Sequence, residues 1–283
     1  MKKILVPTDF SDNAYNAIQY AMKLFEKETC TFYLLNTFTP AAYNVGAMAD
    51  SYSALRLQEI VKENSENELA RIEKSIKKEF NNPKHSFEKI ASFNLLVMEI
   101  LDIIETHDID LIVMGTQGAT GAKEVFLGTH TTFTIKKVKC PVIAVPSGFT
   151  YETPKEILFP TDFRLSTSNR YLKLIKDICD SHVARLHILN AYYEPLDEEQ
   201  NKVKDFLDQY FKGNAHLFHL AEDTDVLGAI ETFQVKHKIN FLIMIHNKHS
   251  FFENMLFKPV VNQVAYHTNI PFLVIPSEQR MLH

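Results

Sequence analysis

Short, nearly continuous runs of Ile, Leu, Val and Phe recur along this chain, and between them apolar residues return every three or four positions. Runs of the first kind suit strands buried on both faces, as in a parallel sheet covered by helices. They predict strands at about 2–8, 31–37, 85–91, 110–115 and 142–146, and again at about 156–161, 185–191, 215–220, 241–245 and 272–275. The intervening stripes predict helices. Ala14, Ala17, Ile18, Ala21, Met22 and Phe25 share one helical face behind possible caps at Ser11 and Asp12. Leu69, Ile72, Ile76 and Phe80 form a second stripe, and Leu96, Ile100, Ile103 and Ile104 a third.

The pattern repeats. "KKILVPTDF" at 2–10 returns as "KEILFPTDF" at 155–163, and "FYLLNTF" at 32–38 as "LHILNAY" at 186–192. "DLIVMG" at 110–115 returns as "NFLIMI" at 240–245, and "CPVIAVPS" at 140–147 as "IPFLVIPS" at 270–277. Four matches in one order make the chain a duplication, with domains expected at 1–148 and 154–283. Strands alternating with helices give βαβ units with right-handed crossovers. The expected fold is α/β, two tandem doubly wound domains, each a five-stranded parallel sheet flanked by helices. The halves differ most after the second strand, where the first carries an extra stretch at 39–57; a lid and a long loop both fit it.

Composition narrows the function classes. The chain is 46% hydrophobic and 23% charged, as in a soluble globular protein. A net charge of −5 without a dense Lys/Arg run argues against a nucleic-acid partner. Lys136, Lys137 and Lys139 fit a helix C-terminus. The apolar run after Lys2 and Lys3 stops at Pro7, too short for a signal peptide or a membrane span. Cys30, Cys140 and Cys179 are spaced for neither a metal pair nor a disulfide framework, so a reducing cytoplasm is expected.

Four of the eight glycines lie between Gly115 and Gly128. Open α/β sheets bind ligands at the carboxyl ends of their strands, where Pro7-Thr8-Asp9 and the 114–131 loop should meet. Gly115 and Gly118 let backbone N–H groups approach a bulky anion. Gly128 precedes a helix at roughly 130–138 whose first N–H groups attract phosphate, with the Thr129 and Thr131 hydroxyls beside them. The spacing fits a phosphate cradle. It equally fits a structural strand-to-helix turn with a threonine cap. It is neither a Walker A loop nor a G-x-G-x-x-G turn.

"ILVPTDFSDNA", "DLIVMGTQGATG…FLGTHT" and "CPVIAVP", in this order, resemble the universal stress protein family in its tandem form. The family's G-x2-G-x9-G-[ST] signature is met at every defined position by residues 115–129. The resemblance implies a five-stranded parallel sheet whose last strand pairs two domains, here as an internal pseudo-dimer, with further homo-oligomerisation left open. It implies ATP binding in the first half. Asp9 would lie beside adenine and ribose, Pro7 and Thr8 would shape that wall, and the Thr37 backbone would meet the adenine edge. Met114, Gly115 and Gly118 would line ribose and phosphates; Gly128, Thr129, His130 and Thr131 would hold the phosphates, with Mg²⁺ arriving between phosphate oxygens.

In the second half the glycine positions are Ile245, Lys248 and Lys258, and the Thr129 position is Pro259. Asp162 persists, but the phosphate half of the motif does not, so no ATP is expected there. His246, Asn247, Lys248 and His249 read as a solvated loop rather than a metal site. Asn36 and Asn190 recur at one point of strand two and suggest a structural hydrogen bond. His85 and His107 lack a nucleophile to serve, and no catalytic residue is assigned. The leading reading is an ATP-binding stress-response or regulatory protein with an unidentified protein partner and no membrane association. Its alternatives are a scaffold that keeps the fold without using nucleotide, and a slow ATP hydrolase.

Overall fold

A computed structural model of the chain describes residues 1–38, 51–116, 128–190, 195–221, 226–246 and 269–277. The first repeat runs β1 (Lys2–Pro7), α1 (Asp12–Leu24), β2 (Cys30–Phe38), α2 (Ser51–Phe80), β3 (His85–Phe93), α3 (Leu96–His107), β4 (Leu111–Gly115), α4 (Thr129–Lys137) and β5 (Val142–Val145). The second runs β6 (Glu156–Pro160), α5 (Leu172–His182), β7 (Arg185–Asn190), α6 (Glu198–Tyr210), β8 (His216–Leu220), α7 (Val226–His237), β9 (Phe241–His246) and β10 (Phe272–Pro276). All ten strands fall where the apolar runs predict them. The 51–57 part of the extra stretch is the first two turns of α2, and its earlier part, 39–50, lies outside the described residues.

The described residues divide into two compact units, one ending at Cys140 and the other beginning at Pro141. In the first, parallel strands lie in the order β3-β2-β1-β4, with Ile4 opposite Phe32 on one side and Leu111 on the other. Ile4, Leu5 and Val6 are fully buried, as two-sided coverage requires. In the second unit the order is β5-β10-β9-β6-β7-β8. Four of its pairings are parallel; β5, the last strand of the first repeat, runs antiparallel to β10, the last of the second, with Ile143 opposite Leu273.

The helices follow their stripes. α1 buries Ala14, Ala17, Ile18, Ala21 and Met22, and its N-cap Ser11 accepts the Ala14 amide. α2 buries Leu69, Ile72 and Ile76; α3 buries Ile100 and Ile103. Lys136 and Lys137 occupy the last turn of α4. The three cysteines are buried free thiols, and burial pushes Cys30 and Cys179 up to about 12.

Candidate functional site

At the carboxyl end of β1 the ladder continues one step beyond the strand, the buried Thr8 amide donating to Leu35 O at 2.7 Å. The chain then turns through Phe10 at φ 65, a left-handed conformation uncommon for a side-chain-bearing residue. Local bonds stabilise that turn. Phe10 N donates to Thr8 Oγ1 at 3.1 Å, while Asp9 Oδ1 accepts from Ser11 N at 3.1 Å and Ser11 Oγ at 2.6 Å. Asn36 clamps the turn to β2 and α2: its Nδ2 donates to Thr8 O and its Oδ1 accepts from Ser65 Oγ, both at 2.7 Å and buried. The structural role expected of Asn36 is thus observed. Asp9 is exposed, and Thr37 follows Asn36 on β2, opposite Ser92.

At the end of β4, Met114 is buried and Gly115 has a packing reason to be glycine. A Cβ there would displace the Asn13 side-chain amide and stand 3.2 Å from Asn13 O, so the glycine lets α1 lie close against β4. The far end of the glycine loop returns to the same point. Gly128 N donates to Thr116 O at 2.5 Å, and Thr131 Oγ1 donates to Gly115 O at 2.8 Å. Thr131 is 2% exposed and its hydroxyl is held by protein, so it is not among the hydroxyl donors left at this helix end. Gly128 is the N-cap, at φ −57 and ψ 151, and no side chain caps α4. Thr132 N, bonded to Gly128 O at 2.9 Å, opens the backbone ladder; the amides of Thr129, His130 and Thr131 precede it. Thr129 and His130 are exposed. Gly118 lies outside the described residues.

The second unit repeats the β1 turn almost atom for atom. Thr161 N donates to Leu189 O at 2.9 Å, Phe163 N to Thr161 Oγ1 at 2.9 Å, and Arg164 N to Asp162 Oδ1 at 2.9 Å, with Phe163 at φ 55. Its surroundings differ. The start of α6 docks on the turn: Gln200 Nε2 donates to Asp162 O at 2.8 Å, and Arg164 pairs with Asp197 at 3.2 Å. Ile245 fills the Gly115 position and is buried.

His246 corrects the loop expected for 246–249. It is the last residue of β9, 4% exposed and opposite Pro276, because the strand runs one position past the apolar run. The rest of that segment, with Lys248, Lys258 and Pro259, lies outside the described residues.

A model of the universal stress protein family matches residues 1–146. The chain belongs to the universal stress protein family. This universal stress protein is 31% identical over 144 residues to a universal stress protein of Methanocaldococcus jannaschii, covering 51% of this chain and 81% of that one. Nearly its whole length, 97%, superposes on 96% of a universal stress protein from Archaeoglobus fulgidus at a TM-score of 0.64 and 17% identity, a likeness of fold. Another solved universal stress protein, in complex with cAMP, covers 51% of this chain at 15% identity and a TM-score of 0.35. Among the described residues no helix is long and apolar enough to cross a membrane.

Two features of this universal stress protein escape the sequence reading. Asn13, the residue that meets Gly115, carries no local signal. A group of histidines in the second unit, His187, His219 and His237, is scattered along the chain and becomes visible only when the repeats are aligned strand by strand.

Proposed function

We propose that the first half binds ATP at the carboxyl ends of β1 and β4, and that the protein acts as a nucleotide-responsive regulator in a stress response, with a second half that binds none. The observation that carries this reading is the start of α4. Three leading amides without a side-chain cap stand beside β4, at the last glycine of an intact Gly115-x2-Gly118-x9-Gly128-Thr129 spacing. Asp9, exposed at the end of the neighbouring strand, suits ribose hydroxyls as an acceptor. Pro7, Thr8 and Thr37 complete the base side of the site, Met114 lines the ribose and phosphates, and His130 and Thr129 flank the phosphates. Thr131 contributes its amide, and its hydroxyl fixes the cradle.

The donor set fits a polyphosphate: amides, hydroxyls and one imidazole, with Asp9 already bonded to Ser11. Such a set holds anions and offers little to a bare cation, so Mg²⁺ would come with the phosphate oxygens it bridges. Among the described residues no group is placed as a general base, and the reading is of a binding protein.

A scaffold that makes no use of nucleotide is the second reading, and Gly115 favours it: Asn13 explains that glycine without a ligand. Calorimetric titration of nucleotide-stripped protein with ATP and Mg²⁺, and with cAMP in competition, separates the two. One ATP site per chain, lost in Gly118→Val, is the expected result. Absence of heat with either nucleotide would leave the scaffold.

A further inference from the structure

Aligning the repeats by their strand registers shows a concerted exchange on one face of the second sheet. Lys3, Tyr33, Ile90, Ile103 and His107 correspond to Glu156, His187, His219, Phe233 and His237. In the first half this face has Tyr33 edge-on to His107 at 5.1 Å and Ile103 buried, with Lys3 at its rim donating to the His107 carbonyl. In the second half a chain of polar groups replaces it. Glu156 on β6 lies 2.7 Å from Nε2 of the 1%-exposed His187 on β7, whose Nδ1 lies 3.0 Å from Nε2 of His219 on β8. Phe233 and His237 of α7 close over them, stacked at 4.0 Å. Beside the group, between α7 and the strand ends, opens a pocket of about 560 Å³ whose lining includes Leu189, His219, Ala229, Phe233, Lys236 and His237.

We propose that this pocket binds a small organic anion, its apolar body against Leu189, Ala229 and Phe233 and its acid group at His219, His237 and Lys236. The charge inventory selects the sign. Among the described residues, His187 and Arg185 from β7, His219 from β8, and Lys236 and His237 from α7 face the group, with Glu156 from β6 as the acid. That acid already serves His187 at 2.7 Å and Arg185 at 3.5 Å. Burial first, then the charge of His187, holds both His219 and His237 below the ordinary histidine range, with Lys236 adding to the effect. An anion reverses that repulsion, so binding draws protons onto the imidazoles. A metal ion is a poor alternative. His187 uses both ring nitrogens internally, and among the described residues no group of three or more ligand-type side chains is placed to hold one.

The test is calorimetry of the full chain with benzoate at about pH 6 and about pH 8, in buffers of different ionisation enthalpy. Binding at least about tenfold tighter at the lower pH, with net proton uptake, is expected. Benzamide, the same body without the charge, binds at least about tenfold more weakly. Lys236→Met at the exposed rim and His219→Asn each weaken benzoate at least about fivefold, while His85→Asn in the first half leaves it unchanged. Histidine ring NMR should show the titrations of His219 and His237 move to higher pH on adding benzoate.

The proposal is overturned if benzoate, hexanoate and phenyl phosphate all fail to bind at about 5 mM. It is equally overturned if their binding ignores pH or both variants. Benzoate binding that survives Gly128→Val locates the anion away from the nucleotide site; its loss there would overturn the assignment. Because ATP is titrated on the same variants, failure of this inference and failure of the nucleotide reading give different results.

Discussion

The two copies of Pro-Thr-Asp-Phe make the same turn with the same bonds and the same left-handed phenylalanine, yet they sit in different surroundings. In the first half Asp9 accepts from Ser11 within the turn, and the strand beside it ends in glycine. In the second, α6 bonds the Asp162 carbonyl, Arg164 reaches Asp197, and isoleucine stands where the glycine was. The lesson is that the turn belongs to the fold and not to a ligand. Its geometry persists where the phosphate motif has gone, so Asp9 alone is weak evidence for nucleotide and the start of α4 carries the argument.

The strongest way to break this comparison is at Gly128. Its extended φ of −57 is open to any residue, so Gly128→Val adds bulk in the cradle without backbone strain. ATP affinity is expected to fall at least about a hundredfold by calorimetry, against a cost to stability of about 1 kcal/mol from the poorer N-cap. Next comes Gly115, whose counterpart is Ile245. Gly115→Ala drives a methyl into Asn13 and should cost about 1–3 kcal/mol in urea unfolding of the first half, and Asn13→Ala in the same chain should recover part of it. Asn36→Ala strips partners from the Thr8 carbonyl and the Ser65 hydroxyl, both buried bonds, at about 2 kcal/mol by the same measurement. Ser11→Ala should cost about 1 kcal/mol, whereas Tyr171, the N-cap of α5, forms no cap bond and is expected to tolerate alanine on that count.

The smallest effect is one of pH. His219 and His237 in the second half, and His85 in the first, are held below the ordinary histidine value, burial being the leading cause in each. A depressed folded value means that the unfolded chain binds the proton first. Their stabilisation is therefore complete above about pH 6.5 and is lost as the pH falls through the lowered folded values. Hydrogen exchange should show the second half loosening more than the first on that descent, and His219→Asn should lessen the difference.

Much of this was legible in the residues. Strands buried on both faces are long apolar runs, and duplication doubles every signal, so all ten strands stood out, as did Ser11 as a cap of α1, while Asp12 proved to be the first residue of the helix. The motif at 115–129 was equally plain as a spacing. What the spacing hides is which contact each residue serves: Gly115 answers to Asn13, and the Thr131 hydroxyl to the Gly115 carbonyl, both decided by packing between distant segments. His246 was misplaced because a polar side chain at a strand end carries no period. The histidine group stayed invisible for a related reason, since its members lie on β7, β8 and α7 and meet only through the strand register.

The antiparallel pair of β5 and β10 has a consequence for the newborn chain. Val142–Val145 leaves the ribosome long before Phe272–Pro276, with 126 residues between the two strands. At about 5–20 residues per second that gap lasts on the order of ten seconds. Through that interval a four-residue apolar strand waits with no β10 to receive it, the kind of open edge to which chaperones and other nascent chains attach. This universal stress protein thus carries, in its own topology, a vulnerable interval at birth, and trimming the last strand would prolong it indefinitely.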